Sequence, residues 1–267
     1  MVCWINTCNA NLETKAKAIK ETWGKRCDVL LFVADQTNNS FPTIGFNTTE
    51  GKLRMVPRIF KAFDYVYRHH LDDGDWFLRS DDDAYVIMEN LRYMLTSYNA
   101  AEKWYLGEAY DFGPKQGFNS GGASFVLSKA ALSALYMRAA GECTNEYKTV
   151  GRDDIELGRC LYHLGVNISD TRDILNGSRF HPYRPVQHLN GTFCVVNGRE
   201  FMKYGCTKVS GENNNDDNKN SNNNNNSNND TTTTTKNNNG VHVANEVIPY
   251  KNERGLSTYL VKCVCAV

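Results

Sequence analysis

The chain has 267 residues, with thirty acidic and thirty basic side chains and no formal net charge. That length suits one sizeable α/β domain, and balanced charge argues against a nucleic-acid partner held by phosphate neutralisation. No stretch reaches the roughly 18 apolar residues of a membrane-spanning helix, and no signal peptide is visible.

In chain order, residues 2–5 read as a strand and 11–23 as a helix. The unbroken apolar run 29–33 reads as a strand buried on both faces. Phe60, Phe63, Val66 and Tyr67 recur at helical spacing, and Pro57 suits the first turn of that helix. Residues 76–78 form a strand whose end presents Asp81, Asp82 and Asp83. Residues 86–95 are helical, with Ile87, Leu91, Met94 and Leu95 on one face. Residues 104–106 and 124–127 are strands. Ser128 caps a helix over 130–138, and Asp153 or Asp154 caps one over 155–164. Strands alternating with helices predict a mostly parallel sheet flanked by helices.

Residues 212–239 contain no apolar side chain. Such a stretch cannot bury enough surface to offset its ordering entropy, so it reads as a disordered insert. The expected organisation is a domain over 1–211, the insert over 212–239 and a divergent segment over 240–267. That last segment has strand-like character at 259–264.

The chemistry concentrates in acidic clusters. Three adjacent carboxylates repel one another and stay together in an ordered protein only beside a cation. Hard oxygen ligands favour magnesium or manganese, here bridging to a diphosphate. The plain alternative is a solvated acidic turn. Open α/β sheets bind ligands beyond the carboxyl ends of their strands, where these aspartates lie. Arg79 sits beside them, placed to pair with an aspartate or a phosphate. Asp153-Asp154 offers a general base, although aspartates at a helix start are also common caps. Gly121 and Gly122 would let backbone approach a sugar closely, or would form only a tight turn. Trp76, Trp104 and Tyr105 could stack on sugar faces, though core aromatics are commoner.

Nine cysteines without zinc-finger spacing read as disulfides in an oxidising compartment. Cys3 and Cys27 flank the first strand–helix unit, which would bring them together. The odd count leaves at least one thiol free or paired between chains. Sequons begin at Asn47, Asn167, Asn176 and Asn190, with a weaker one at Asn229.

Several ordered motifs resemble one family. They are Cys3-Trp4-Ile5, the run from Thr22 to Cys27, and His69-His70-Leu71-Asp72-Asp73-Gly74-Asp75-Trp76-Phe77. Asp81-Asp82-Asp83 follows, with Tyr85-Val86 and the run Glu89 to Tyr93. Gln116-Gly117-Phe118, Ser120-Gly121-Gly122-Ala123, Val126 to Lys129, Asp153 to Cys160 and Phe180-His181-Pro182 complete the set. The chain is similar over residues 2 to about 189 to the core 1 β1,3-galactosyltransferases of glycosyltransferase family 31.

The resemblance implies a GT-A-like, Rossmann-type nucleotide-sugar transferase. It implies Mn2+ as cofactor, UDP-galactose as donor and a glycoprotein or peptide bearing N-acetylgalactosamine (GalNAc) as acceptor. With strand alternation it makes Asp83 the direct metal ligand and places Asp81 nearby, through the ribose or a water. Asp82 points into the structure or to solvent. Arg79, Asp81, Asp82 and Trp23 are the candidate donor contacts, with Lys17 and Lys20 near the same unit as surface charges. Asp154 is the implied base, and Asp153 its alternative. Gly121, Gly122 and Trp104 are the candidate acceptor contacts.

Family members complete the metal site with a histidine in a late Ser-Phe-His-Tyr-like segment. This chain lacks that segment, and His242 stands in the corresponding region. Family members also carry a membrane anchor and stem before the point where this chain starts, and they work in the Golgi or secretory-pathway lumen. A homodimer is left open. Competing readings are a β1,3-transferase with another donor or acceptor, and an inactive, chaperone-like relative.

Overall fold

The computed structural model describes residues 1–46, 55–138, 143 and 152–183, with short pieces at 195–196, 199–200, 202–203, 251–252, 255–256 and 260–262. The expected insert over 212–239 and His242 lie outside the described residues.

A seven-stranded sheet forms the centre. Its strands are β1 (Val2–Asn6), β2 (Val29–Ala34), β3 (Ile44–Gly45), β4 (Trp76–Asp81), β6 (Trp104–Gly107), β9 (Phe125–Ser128) and β10 (Asn167–Ile168). The spatial order is β10-β6-β9-β4-β1-β2-β3. β1 lies parallel to both β2 and β4, and β3 and β10 are parallel to their neighbours. Only β9 runs against its neighbours β4 and β6. This is the expected mostly parallel sheet.

Alternation along the strands builds two cores. Cys3 and Ile5 of β1 and Leu78 of β4 face one side, where they join Leu12, Ile19 and Trp23. That side is covered by α1 (Lys17–Glu21) and α3 (Met88–Leu95), the latter through Met88, Leu91, Met94 and Leu95. Val2, Trp4 and Phe77 face the other side. There α2 (Met55–His70), α4 (Lys129–Tyr136) and α5 (Asp153–His163) supply Phe60, Phe63, Val66, Leu132, Leu157 and Leu161.

Several boundaries differ from expectation. The helix expected over 11–23 starts as a wide helical turn, Leu12–Ala16, and α1 stops at Glu21. Val86, expected to open the helix over 86–95, instead ends strand β5 (Ala84–Val86), and α3 starts at Met88. β2 is fully buried only over Phe32, Val33 and Ala34, because just the two-residue β3 covers its outer edge. β4 runs on to Asp81, so the first aspartate is still in the strand. Ser128 caps α4 as expected, its hydroxyl accepting from Ala131 N at 3.1 Å. The strand-like tail contributes Leu260–Lys262, antiparallel to β5.

Among the described residues, two disulfides are present. Cys3–Cys27 joins β1 to the end of the first helical unit, as expected from their placement. Cys143–Cys160 ties α5 to the residues before it. Closing a loop of 24 residues is worth roughly 3 kcal/mol through the unfolded state.

Candidate active site

The site lies at the carboxyl ends of β1 and β4, the crevice an open α/β sheet offers. Register puts Asn6 beside Asp81, and Asp82 N continues the ladder to Asn6 O at 3.1 Å. The aspartate turn is therefore fixed by main chain first. Asn6 Nδ2 then donates to Asp81 Oδ1 at 3.1 Å. Thr7 Oγ1 and Asn11 Nδ2 both donate to Asp82 Oδ2, at 2.7 and 2.8 Å. Asp82 is thus turned into the structure and holds the first helical unit. Asp83 is half-buried, with Oδ1 sealed from solvent.

Arg79 organises the rest. It points off β4, is only 2 % exposed, and sits 5.7 Å from the Phe125 ring. Its Nη2 reaches Asp81 Oδ1 at 3.0 Å and Asp153 Oδ2 at 3.3 Å, while Nη1 donates to Gly121 O at 2.7 Å. Burial opposes its charge, but Asp81, Asp153 and Asp154 outweigh that and raise its pKa. One guanidinium therefore links the aspartate turn, the Gly121 turn and the start of α5. A charge-assisted network of this kind fixes the relative placement of all three.

The two aspartates of α5 differ in setting. Their helix is not capped by either side chain, since the cap residue is Arg152, so the expected capping role is corrected. Both lie inside the first turn, where the helix dipole favours negative charge. Asp153 is 7 % exposed, and burial lifts its pKa to about 6 despite the adjacent Arg79. Asp154 is only half-buried, accepting from Ile155 N at 2.9 Å and, more weakly, from Gly121 N at 3.4 Å. Asp154 is the member of the pair with access to a ligand.

Gly121 is required by close approach. A Cβ there would stand 2.9 Å from Arg79 Nη1, which is buried and pinned. Three residues on, Ser124 adopts φ 63° and ψ 162°, a region nearly reserved for glycine. It is fully buried and its hydroxyl lies 2.8 Å from that of Ser80, next to Asp81. Backbone strain of this kind persists only where the surroundings over-determine it, and here it sits against the carboxylate cluster.

The remaining candidates are placed as follows. Gly122 follows Gly121 in the same turn. Trp23 is enclosed in the core under the aspartate turn, its Nε1 donating to Ala84 O at 3.1 Å. Lys17 and Lys20 are exposed, the latter 5.1 Å from the Phe41 ring. Trp104 is not brought to the cluster. Its N donates to Ser128 Oγ, and Ser128 pairs with Trp76. That level is five residues before Asp81, or roughly 16 Å along β4 at about 3.3 Å per residue. Its ring packs edge-on against Tyr98. Tyr105 is wholly buried with its hydroxyl bonded to Asn119 main chain, so it offers no ring to a sugar.

Asn6, Thr7 and Asn11 escaped the sequence reading, as did Glu108. Glu108 directly follows β6, at the same end of the sheet as Asp81, so the strand-end rule that located the aspartates could have flagged it. It is buried, accepts from the Ser178 hydroxyl, and its main-chain O accepts from Ser120 N at 2.8 Å. Burial raises its pKa from 4.5 to about 7. Between those values the native state binds a proton that the unfolded chain releases, so stability falls as pH rises through that window and levels off above it. The shift corresponds to about 3 kcal/mol. We expect Glu108→Gln to gain stability relative to wild type at pH 8 compared with pH 5 in denaturant titrations. A difference between the two proteins that does not vary with pH would contradict this.

Among the described residues, no group of three or more His, Cys, Asp or Glu side chains is arranged to hold a metal ion. Magnesium and manganese sites that also take substrate phosphates need only one or two carboxylates, so the donor set still fits such an ion. Both contacts of Asp81 use Oδ1, which leaves Oδ2 for a cation.

A mostly parallel sheet thus carries a carboxylate turn at the end of β4 and a second acidic pair at the start of α5, joined through Arg79. Residues 1–181 match the Fringe-like family, and the chain belongs to that family of glycosyltransferases. It is 39 % identical over 194 residues to the glycoprotein-N-acetylgalactosamine 3-beta-galactosyltransferase 1 of Xenopus laevis, covering 72 % of this chain and 53 % of that protein. It is 26 % identical over 187 residues to the human beta-1,3-glucosyltransferase, covering 69 % of this chain and 36 % of the relative. The chain thus spans about half the length of the frog protein and about a third of the human one. Among solved structures, a glycosyltransferase involved in glycosylation of the major capsid of PBCV-1 covers 55 % of this chain at 16 % identity and a TM-score of 0.32.

Proposed function

We propose that the chain transfers galactose from UDP-galactose to the 3-hydroxyl of GalNAc linked to Ser or Thr of a glycoprotein, with inversion and with a divalent metal. The observation that carries this reading is the Arg79 bridge, which sets the aspartate turn and the Asp153-Asp154 pair side by side. The frog relative's own acceptor class and linkage support the choice of substrate.

Three needs define the chemistry: neutralising the diphosphate, deprotonating the acceptor hydroxyl and orienting both. Asp83 and the unengaged oxygen of Asp81 would hold manganese, which supplies charge neutralisation at the leaving diphosphate. Asp154 takes the proton of the acceptor 3-hydroxyl. The hydroxyl oxygen then bonds to the anomeric carbon as the bond from that carbon to the diphosphate oxygen breaks. A single displacement on a UDP-α-sugar gives a β-linkage. Asp153, buried against Arg79, positions the helix start rather than meeting substrate. Gly121 and Gly122 let main chain approach the acceptor sugar. Trp23 contributes by fixing the turn beside the uridine end. The two disulfides support work in an oxidising, secretory-pathway lumen.

The test is Asp83→Asn. It should lose transfer and manganese binding while keeping the wild-type melting profile. Unchanged manganese affinity and turnover would remove the assignment.

A further inference from the structure

Two sequons fall within the described residues and have no part in the transfer chemistry. Asn167 lies in β10, at the edge of the sheet. Asn176 stands exposed at the tip of a tight turn held by Asp173. Asp173 O accepts from Asn176 N at 3.0 Å, and Asp173 N donates to Gly177 O at 2.9 Å. Its Oδ1 accepts from Leu175 N and Gly177 N at 2.9 and 2.7 Å. Asn176 itself takes φ 62°, a left-handed conformation that asparagine tolerates better than most residues. Ile174 is 96 % exposed and Leu175 64 % exposed, two adjacent large apolar groups beside Asn176 at the tip.

We propose that Asn176 carries an N-linked glycan that lies over Ile174 and Leu175. The proposal rests on the lumenal reading above. The co-reactant is a polyprenyl-diphosphate-linked oligosaccharide. The Asn176 amide nitrogen bonds to its anomeric carbon, the carbon–oxygen bond to the diphosphate breaks, and the lipid diphosphate leaves with the electron pair. The amide proton passes to base. In the unfolded chain the Ser178 hydroxyl serves recognition of the Asn-Gly-Ser acceptor. Folding then hands that hydroxyl to Glu108, so modification precedes closure of the loop. The exposed tip accommodates the sugar afterwards, and its carbohydrate shields the apolar pair.

The full chain, directed into the secretory lumen of eukaryotic cells and purified, is digested and its peptides weighed. The peptide containing Asn176 is expected as a glycopeptide. Enzymatic deglycosylation in heavy-oxygen water should convert Asn176 to labelled aspartate. Asn176→Gln should lose one glycan-sized step in gel mobility and bind more of a hydrophobic dye, with transfer activity retained because the tip contributes no group to the carboxylate site. An unmodified Asn176 in protein whose Cys3–Cys27 bond has formed, which certifies passage through an oxidising lumen, would overturn the proposal. Equal dye binding by wild type and Asn176→Gln would overturn the shielding.

Discussion

Asp154→Asn is expected to lower turnover by about 10²–10⁴-fold while leaving UDP-galactose binding close to wild type. The amide keeps the shape of the side chain and its oxygen can still accept from Ile155 N, giving up only the weaker contact from Gly121 N, but it cannot take a proton from the acceptor. In the proposed mechanism the aspartate turn on β4, a separate element, holds the donor, so donor affinity should survive. Steady-state kinetics with a GalNAc-peptide, together with UDP-galactose titration, read the two effects apart. The neighbour provides the control. Asp153→Asn should disturb stability more than chemistry, because Asp153 is buried against Arg79. If Asp153→Asn loses turnover with folding intact while Asp154→Asn stays near normal, the roles are exchanged.

Arg79→Met is expected to cost about 3–5 kcal/mol, because it strands buried carboxylates that the guanidinium now pairs. For a domain of this size that is a fall in melting temperature on the order of 10 °C. Asp153 is the member left worst off, since burial already raises its pKa with Arg79 present. The double variant Arg79→Met, Asp153→Leu should therefore recover part of the loss by removing the orphaned charge. Thermal denaturation of the three proteins settles the point. An unchanged melting temperature in Arg79→Met would mean that the bridge between β4 and α5 does not hold the site together.

Much of the architecture was legible because it follows from periodicity. Apolar residues at helical spacing marked α2, and apolar runs marked β1, β2 and β9. Errors fell where side-chain pattern and hydrogen bonding compete. Val86 was counted as the first residue of α3 but is drawn into strand β5. The acidic residues at the start of α5 looked like caps, yet the helix begins at Asp153, two residues before the expected start at Ile155.

For the site, the triplet and the acidic pair were visible as clusters, and the strand-end rule located the first. Arg79 stood out by adjacency, but its bridging role was hidden. It depends on β9 running antiparallel beside β4, which brings the Gly121 turn and α5 to the same strand end. Trp104 was misjudged because sequence gives residue type but not the level along a strand. Register places it with Trp76, at the far end of the sheet. Glu108 was missed because a lone glutamate after a strand carries no cluster to draw attention.

The most direct test of the account is UDP release from UDP-galactose by the full chain, with and without manganese and with and without a GalNAc-peptide, followed by linkage analysis of the product. The account predicts release that needs both metal and acceptor, and a product with galactose β-linked to the 3-hydroxyl of GalNAc. Correctly folded protein that releases UDP no faster than buffer under every condition, or that releases it without forming the disaccharide, would contradict it.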